Sequence, residues 1–256
     1  MFSKAIVRLP ATNYADGLTT VALGVPEYAR ALRQHSAYCE ALEQCGLELT
    51  HLEADEEYPD STFVEDAAVL VPRGAILTRP GAASRMGEVG SINKTLSRFY
   101  FRIDSIHEPG TLDGGDVCEA GNHLFIGISA RTNEVGAGQL AELLASYGYT
   151  SSFVDIRSVK DVLHLKSGLA SLGDNRLVVT EALASREEFR GYELVRLSAD
   201  EEYAANCVRV NDQVLIAAGY PIFEQTLREL GYKTIALEMT EFQKMDGGLS
   251  CLSLRF

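Results

Sequence analysis

The stretch VCEAGNHLFI, residues 117–126, decides the fold because it places two apolar runs on either side of a Gly121-Asn122 turn. That arrangement predicts a β-hairpin. Three other stretches have the same form, at residues 67–77, 168–179 and 208–217, and their turns are Pro72-Arg73-Gly74, Gly173-Asp174-Asn175 and Asn211-Asp212. Successive hairpins lie about 40 to 50 residues apart, and each is followed by a predicted helix or extended stretch, which is the pattern of an internally repeated ββα unit.

Apolar residues recur at helical spacing between the hairpins. The clearest predicted helix runs from about Pro26 to Gly46, because Pro26 suits a first turn and Gly46 suits an exit. The same spacing predicts helices over residues 91–101, 131–148, 181–189 and 221–231. The two chain ends can supply a fifth unit, and no low-complexity linker divides the sequence. We therefore expect one α/β domain over residues 1–256, whose five units close into a ring on which the polar residues at the hairpin entries converge.

The composition is that of a packed globular protein. Of 256 residues, 46% are hydrophobic and 23% are charged, which is unlike a disordered chain. The formal net charge of −13 disfavours nucleic acid and anionic membranes as partners and is compatible with a cationic small substrate. No apolar run approaches the roughly 18 residues of a spanning helix. Five cysteines without a CxxC pair argue against a disulfide framework or zinc ribbon and favour reduced thiols in the cytoplasm.

Cys251 and His164 are the candidate catalytic residues. Cys251 follows Gly247-Gly248, where two glycines permit a tight backbone approach before a terminal strand. His164 is predicted inside an otherwise apolar strand, in residues 162–167, where an imidazole is costly unless it is hydrogen-bonded or faces a cavity. A thiolate nucleophile needs a proton shuttle, although either residue taken alone is more often structural. The other histidines, His35 among them, are predicted in polar, helix-surface or turn-like surroundings.

Acidic residues lie at two further hairpin entries. Asp113 opens the segment Asp113-Gly114-Gly115-Asp116 and could orient an imidazole, with a surface turn as the alternative. Asp60, Glu65 and Asp66 bring three carboxylates within seven residues, and Asp66 enters an apolar strand, where an unpaired charge is costly. Paired carboxylates match the planar donor fork of a guanidinium. The alternative reading of this segment is a solvated acidic loop.

Two arginines complete the candidate site. Arg85 and Arg131 could clamp a carboxylate. Acids at one end and arginines at the other would suit an amino acid with a basic tail. For each arginine taken separately, a solvated surface position is the alternative.

Together these motifs resemble the dimethylarginine dimethylaminohydrolase family, from near residue 5 to the end of the sequence. They occur in the family's order and with near-family spacing, as Phe63-Val64-Glu65-Asp66, Thr78-Arg79-Pro80-Gly81-Ala82, Leu112-Asp113-Gly114-Gly115-Asp116-Val117, Arg131-Thr132-Asn133, His164-Leu165-Lys166, Ala204-Ala205-Asn206-Cys207 and the Cys251 tail. The resemblance implies the five-bladed α/β propeller of the guanidino-group-modifying (pentein) superfamily, in which repeated ββαβ units surround a central active-site pocket.

The resemblance also implies a hydrolase acting on C–N bonds of linear amidines. Its expected reaction converts Nω-methylated arginines to citrulline and a methylamine, with no cofactor and no metal. Position by position, Cys251 matches the nucleophile, His164 the proton-transfer residue and Asp113 the acid that supports it. The matched substrate-binding positions are Leu18, Asp60, Glu65, Asp66, Arg85, Arg131 and Met245. The resemblance assigns the acids to substrate binding, the arginines to the substrate carboxylate, and the backbone carbonyls of Leu18, in a predicted lid, and Met245 to the amino group.

Other functions stay open at this point. An arginine deiminase-like or amidinotransferase-like enzyme would use the same nucleophile on another substrate or acceptor. A non-catalytic propeller that serves as a binding module would not need Cys251, His164 and Asp113 together. A cysteine peptidase would leave the acids after Tyr58 without a role. The expected partner is a small methylated arginine, with no nucleic acid and no membrane, and a homodimer is left open.

Overall fold

The computed structural model describes residues 1–160 and 162–256. In chain order its strands and α-helices are β1 (Lys4–Arg8), α1 (Tyr28–Gln44), β2 (Glu48–Leu52), β3 (Ala68–Val71), β4 (Gly74–Leu77), α2 (Glu88–Leu96), β5 (Ile103–Ser105), β6 (Val117–Ala120), β7 (His123–Ile128), α3 (Glu134–Ser146), β8 (Thr150–Asp155), β9 (Leu169–Gly173), β10 (Arg176–Val179), β11 (Glu193–Arg196), β12 (Val208–Val210), β13 (Gln213–Ala217), α4 (Pro221–Glu229), β14 (Lys233–Leu237), α5 (Thr240–Gln243) and β15 (Leu254–Arg255). These elements belong to two compact units, which we call unit 1 (Met1–Val64 with Asn206–Phe256) and unit 2 (Glu65–Ala205).

Unit 2 contains three sheets with one strand order. In β3–β4–β5, β6–β7–β8 and β9–β10–β11, the first two strands form an antiparallel hairpin and the third pairs in parallel with the second. A parallel pair requires a crossover between its strands. Helices α2 and α3 supply it in the first two sheets, whereas turns and the short 3-10 helix Glu187–Phe189 supply it in the third.

The predicted helix over residues 181–189 is therefore wrong. The structure has turns over most of this segment. A segment this short is not stabilised as a helix by its own backbone bonds, so tertiary packing decides its shape. Leu183 and Phe189 are buried in the core beside β9 and β10, and burying such side chains contributes about 1.5 to 3 kcal/mol each.

Unit 1 contains the remaining two sheets of the described chain. The sheet β12–β13–β14 repeats the order seen in unit 2, with α4 as its crossover. In the other sheet β1 is central, antiparallel to β15 and parallel to β2, and α1 makes the crossover. The prediction that both ends of the sequence build one unit is confirmed.

Helix α3 shows how local sequence sets the bounds of an element. The side chain of Asn133 accepts a hydrogen bond from the backbone N–H of Gly136 at 2.8 Å, which is an N-cap. The apolar spacing predicts a helix that starts at Arg131, but the helix begins after Asn133. Ala137, Leu140 and Leu144 are buried on its inner face within the core of unit 2.

The other helices agree with the sequence to different degrees. The predictions over residues 26–46 and 221–231 are confirmed as α1 and α4. The prediction over residues 91–101 places α2 too late, because the helix starts at Glu88 and ends at Leu96. The carboxylate of Glu88 binds Arg85, and apolar periodicity carries no signal for that contact.

Five three-stranded sheets with a shared order confirm the predicted α/β repeat over the described residues. Within those residues, none of the helices has the length and apolar character needed to cross a membrane. The single domain over residues 1–256 stays a prediction.

Candidate active site

His164 and Asp113 form a buried acid–imidazole pair in unit 2. Nε2 of His164 lies 3.0 Å from Oδ2 of Asp113, and both side chains are buried. Each residue directly precedes a 3-10 turn that leads into a hairpin, Gly114–Asp116 before β6 and Leu165–Ser167 before β9. The two side chains thus occupy equivalent positions in successive ββα repeats, before the first strand pair of each repeat. The predicted strand at His164 is therefore wrong, because β9 begins only at Leu169.

The charges around His164 favour its protonated form. Burial alone lowers the pKa of an imidazole, but the charge of Asp66, the hydrogen bond to Asp113 and the charge of Asp116 oppose it and raise the pKa of His164 to about 9. His164 is consequently a cation at neutral pH. A protonated imidazole is suited to donating a proton to a leaving group.

Asp66 supplies the first of those charges. Burial tends to raise its pKa, but His164 and Arg85 lower the pKa of Asp66 to about 2. Its Oδ2 accepts from Nη1 of Arg85 at 2.6 Å and its Oδ1 from the N–H of Gly115 at 2.8 Å. A side chain at Gly114 could not be accommodated, because a Cβ there would lie 2.0 Å from the carbonyl oxygen of Glu65. The glycines of this motif therefore permit the close backbone approach that holds Asp66.

Arg85 is enclosed by acids. It is 4% exposed, and it donates from Nε and Nη2 to the two oxygens of Glu88 at 2.9 and 2.8 Å, in addition to its bond with Asp66. Burial disfavours its charge, but Asp66 and Glu88 raise the pKa of Arg85 well above its usual value. Sequence reasoning missed Glu88; its spacing of three residues from Arg85 at a helix start was the available signal.

The remaining acid–base contacts of unit 2 involve Arg131 and Glu65. Nη1 of Arg131 lies 3.8 Å from Oδ2 of Asp113. Oε1 of Glu65 lies 2.7 Å from Nζ of Lys166, a largely buried side chain. Lys166 belongs to a motif named above, but its pairing with a predicted substrate-binding acid was not foreseen. The structure thus links Asp66, Arg85, Asp113, Arg131 and His164, and pairs Glu65 separately.

Cys251 lies in unit 1 within the 3-10 turn Ser250–Leu252. It is the partly exposed member of five free cysteines, and the other four are buried. Asn206 braces this turn, since its Oδ1 accepts from the N–H of Ser250 at 2.8 Å and its Nδ2 donates to the Ser250 hydroxyl at 3.2 Å. Gly248 has no room for a side chain, because a Cβ would lie 2.5 Å from Cγ of Asn206. The predicted tight approach at the second glycine is present.

The other predicted residues of unit 1 lie around the segment after β1. Both carboxylate oxygens of buried Asp60 accept from the N–H of Leu18, at 3.0 and 3.2 Å. A Cβ at Gly17 would meet Oδ1 of Asp60 at 2.5 Å and the end of the Met245 side chain at 3.2 Å. Leu18, Asp60 and Met245 are therefore grouped, and the hydroxyl of Thr19 donates to the carbonyl of Lys244 at 2.9 Å.

Asp66, Asp113 and His164 could also be considered as metal ligands, because their ligand atoms lie within 4.8 Å of one another. All four carboxylate oxygens already accept a hydrogen bond, from Gly115, Arg85, Gly81 and His164. A metal would also have to displace the proton that the neighbouring acids favour on this imidazole. The arrangement suits proton transfer better than metal binding.

Comparison with known proteins places this geometry in a family. The model of the arginine deiminase family matches residues 58–200. The N(G),N(G)-dimethylarginine dimethylaminohydrolase of Pseudomonas aeruginosa is 45% identical over 257 aligned residues, which cover all of this chain and all of that protein. The chain belongs to the dimethylarginine dimethylaminohydrolase family. Both findings agree with the resemblance drawn from the motifs.

Solved structures of the dimethylarginine dimethylaminohydrolase family match over the full chain. The P. aeruginosa enzyme, as a cysteine-to-serine variant complexed with citrulline, has a TM-score of 0.97 and 45% identity, with complete coverage of both chains. A histidine-to-glycine variant in an adduct with S-methyl-L-thiocitrulline gives the same TM-score, identity and coverage. The predicted five-fold pseudo-symmetric α/β propeller is confirmed.

Proposed function

We propose that this chain hydrolyses Nω,Nω-dimethyl-L-arginine to L-citrulline and dimethylamine, and Nω-monomethyl-L-arginine to citrulline and methylamine. The observation that carries the proposal is the full-length identity of 45% to a dimethylarginine dimethylaminohydrolase. The hydrogen-bonded pair of His164 and Asp113 adds a chemical reason, because departure of an amine requires a proton donor. The citrulline complex of the relative supports citrulline as the product.

The proposed first half-reaction uses Cys251 as the nucleophile. Its thiolate adds to the guanidinium carbon, and protonated His164 donates its proton to the dimethylamine nitrogen as the C–N bond breaks. The enzyme retains a covalent thiouronium on Cys251 and a neutral His164. The thiocitrulline adduct of a relative supports this class of intermediate. A thiolate suits this substrate better than a hydroxyl because the delocalised guanidinium is a poor electrophile.

The proposed second half-reaction consumes water. Neutral His164 accepts one proton as water attacks the thiouronium carbon. The tetrahedral species then expels the thiolate, and its hydroxyl proton passes to solvent as citrulline is released. Asp113 keeps the imidazole oriented through both halves. Its hydrogen bond to Nε2 of His164 supports this role.

The family match supplies the proposed substrate contacts. Asp60, Glu65 and Asp66 are assigned to acidic substrate-binding positions, and Arg85 and Arg131 to the substrate carboxylate. The backbone carbonyls of Leu18 and Met245 are assigned to the amino group. The hydrogen bond from the Thr19 hydroxyl to the carbonyl of Lys244 supports a shared position for these two backbone segments.

Product analysis tests the proposed reaction. Purified protein is incubated separately with dimethylarginine, monomethylarginine and arginine, and citrulline is quantified together with dimethylamine, methylamine and ammonia. We expect citrulline and dimethylamine in equal amounts from the first substrate. Citrulline and ammonia from arginine alone would replace the proposal by a deiminase, a second candidate favoured by the arginine deiminase model match over residues 58–200.

The nucleophile has a separate test. Protein quenched with acid during turnover should carry an added mass on Cys251, detected by mass spectrometry of the digest. Cys251→Ser should lose both the thiouronium adduct and turnover. Cys45→Ser is the matched control, since Cys45 is a buried thiol of the same unit, and it should keep both. An adduct on another residue would overturn the assignment.

The remaining properties are also proposals. We propose a cytoplasmic enzyme without metal or cofactor, with no nucleic acid or membrane partner, which acts as a single domain; the net charge of −13 supports the exclusion of polyanionic partners. Full activity after treatment with a chelator would support the absence of a metal. A homodimer is open to sedimentation analysis.

A further inference from the structure

Asp116 is a buried acid that the proposed reaction does not use. It is 0% exposed, and it accepts three hydrogen bonds. Its Oδ1 accepts from the N–H of Leu165 at 2.9 Å. Its Oδ2 accepts from the hydroxyls of Ser129 and Thr132, each at 2.6 Å. Burying a carboxylate is costly unless its partners compensate, so this arrangement calls for a reason.

The partners of Asp116 adjoin both members of the acid–imidazole pair. Leu165 directly follows His164 in the sequence. Oγ1 of Thr132 also accepts from the backbone N–H of Asp113 at 3.1 Å. One carboxylate is therefore connected to the backbone beside His164 through a single hydrogen bond, and to the backbone of Asp113 through a single hydroxyl.

The neighbouring strand leaves space for this carboxylate. A Cβ at Gly127 of β7 would lie 2.9 Å from Oδ1 of Asp116 and 3.0 Å from Cβ of Leu165. A glycine inside a strand is unfavourable unless another group approaches closely. Gly127 therefore has a reason in the contact between Asp116 and the segment that carries His164.

Asp116 also acts on His164 through its charge. Its negative charge is one of the causes that raise the pKa of His164 to about 9. The pKa of Asp116 itself is raised, because the effect of burial exceeds the opposing effects of His164 and of the three hydrogen bonds. Its two oxygens accept from one N–H and two hydroxyl donors, and a carboxylate without its proton is an acceptor only.

We propose that Asp116 is a positioning residue for the His164–Asp113 pair, and that its hydrogen bonds hold the backbone beside His164 and, through Thr132, the backbone of Asp113. The proposal rests on the role of His164 proposed above. Asp116 would not touch the substrate. Its loss should consequently affect the proton-transfer steps and leave substrate binding almost unchanged.

Asp116→Asn tests the proposal, because asparagine keeps the size and one acceptor oxygen but removes the charge. We expect kcat to fall by about tenfold or more, with KM within about twofold. Activity that depends on protonated His164 falls as pH rises through its pKa, so removing a negative charge should move the alkaline limb of kcat to lower pH. The titration of the His164 ring by NMR should move in the same direction.

Asp104→Asn is the matched control. Asp104 on β5 accepts from Nε of Arg102 and from the Tyr147 hydroxyl, and it lies outside the predicted site. This variant should keep kcat, KM and the alkaline limb of the wild type. If Asp116→Asn lowers kcat but leaves both the limb and the His164 titration unmoved, Asp116 is only a structural acid and the proposal is overturned.

Thr132 provides a second test should Asp116→Asn fail to fold. Thr132→Val removes the hydroxyl between Asp116 and Asp113 and should lower kcat, whereas Thr132→Ser retains the hydroxyl and should restore it. Equal kcat values in the two variants would contradict the proposal. The NMR titration of His164 also distinguishes failure of this proposal from failure of the proposed reaction. The midpoint of that titration can move in Asp116→Asn even if the wild type does not hydrolyse dimethylarginine.

Discussion

Each compact unit contains a buried histidine, and the two differ in charge. His35 in α1 of unit 1 is 1% exposed and His164 in unit 2 is 8% exposed. Burial and the neighbouring His51 lower the pKa of His35 to about 4. Burial acts on His164 in the same direction, yet its acids raise the pKa to about 9. Burial alone thus favours a neutral core histidine, whereas the charges of Asp66 and Asp116 and the hydrogen bond to Asp113 favour the protonated form of His164.

The side chains that contact the two imidazole rings lie at different distances from them along the sequence. His35 faces the thiol of Cys39 one helical turn away, with its Nδ1 at 3.7 Å from Sγ. His164 meets Asp66 and Asp113, which arrive from two other repeat units at the entries to their hairpins. The helix therefore places a local thiol beside His35, whereas the repeat brings acids from distant positions to His164.

Replacing His164 should reduce activity more than replacing Asp66 or Asp116, whereas replacing His35 should not reduce it. We expect His164→Gly to lower citrulline formation by about a thousandfold, because general acid–base catalysis contributes 10² to 10⁴. His35→Gln is the matched control in the other unit and should keep its rate. Both rates are measured at pH 7.5 on protein shown to be folded by circular dichroism. Near-normal turnover of His164→Gly would remove His164 from the mechanism.

Removing one acid should sharpen the account of why His164 is charged. We expect Asp66→Asn to lower the pKa of His164, because Asp66 is the largest of the causes that raise it. The midpoint of the NMR titration of the His164 ring should therefore move to lower pH. Turnover should fall by about tenfold. Glu88→Gln is the comparison variant, because it removes an equally buried acid from the same arginine. Its effect on the His164 titration should be smaller. Equal changes in the pKa of His164 in both variants would mean that the total negative charge nearby, and not Asp66 in particular, sets that pKa.

The smallest expected effect concerns stability in acid. The folded-state pKa of His35 is about 4, below its unfolded value of 6.5, so the unfolded chain binds a proton first as pH falls. Stability should therefore be lost between pH 6.5 and 4, by at most about 3 kcal/mol. Urea unfolding at pH 7 and pH 4.5 measures this loss. His35→Gln should show a shallower pH dependence over that window, and an unchanged dependence would exclude His35 as its source.

The sequence was sufficient for much of the fold because its hairpins are local. Val117–Ile126 places two apolar runs on either side of the Gly121-Asn122 turn, so the pairing of its two strands follows from neighbouring residues. Residues 181–189 were predicted as a helix because their local spacing is ambiguous in so short a segment. The prediction that His35 lies in polar, helix-surface or turn-like surroundings was also wrong, because His35 lies on the buried face of α1.

The site was partly predictable for a related reason. The motif match identified His164 and Asp113, and the structure pairs them at 3.0 Å. The roles of Glu88 with Arg85, of Lys166 with Glu65 and of Asp116 with Thr132 were missed, because an acid's partner depends on three-dimensional distance and not on spacing along the chain. The assignments of substrate-binding residues stay predictions until the variants are assayed.

The pairing of β1 with β15 has a consequence for folding kinetics. Ala5 and Arg255 are partners across this ladder, although they are about 250 positions apart, and the entropy lost on closing a loop grows with its length. The four hairpin sheets and the β1–β2 pair close much shorter loops, so we expect the β1–β15 pairing to form last. Cys251 lies just before β15, and its thiol would then acquire a fixed position only in the final folding step. Pulsed hydrogen exchange during refolding would test this order, and early protection of β15 would contradict it.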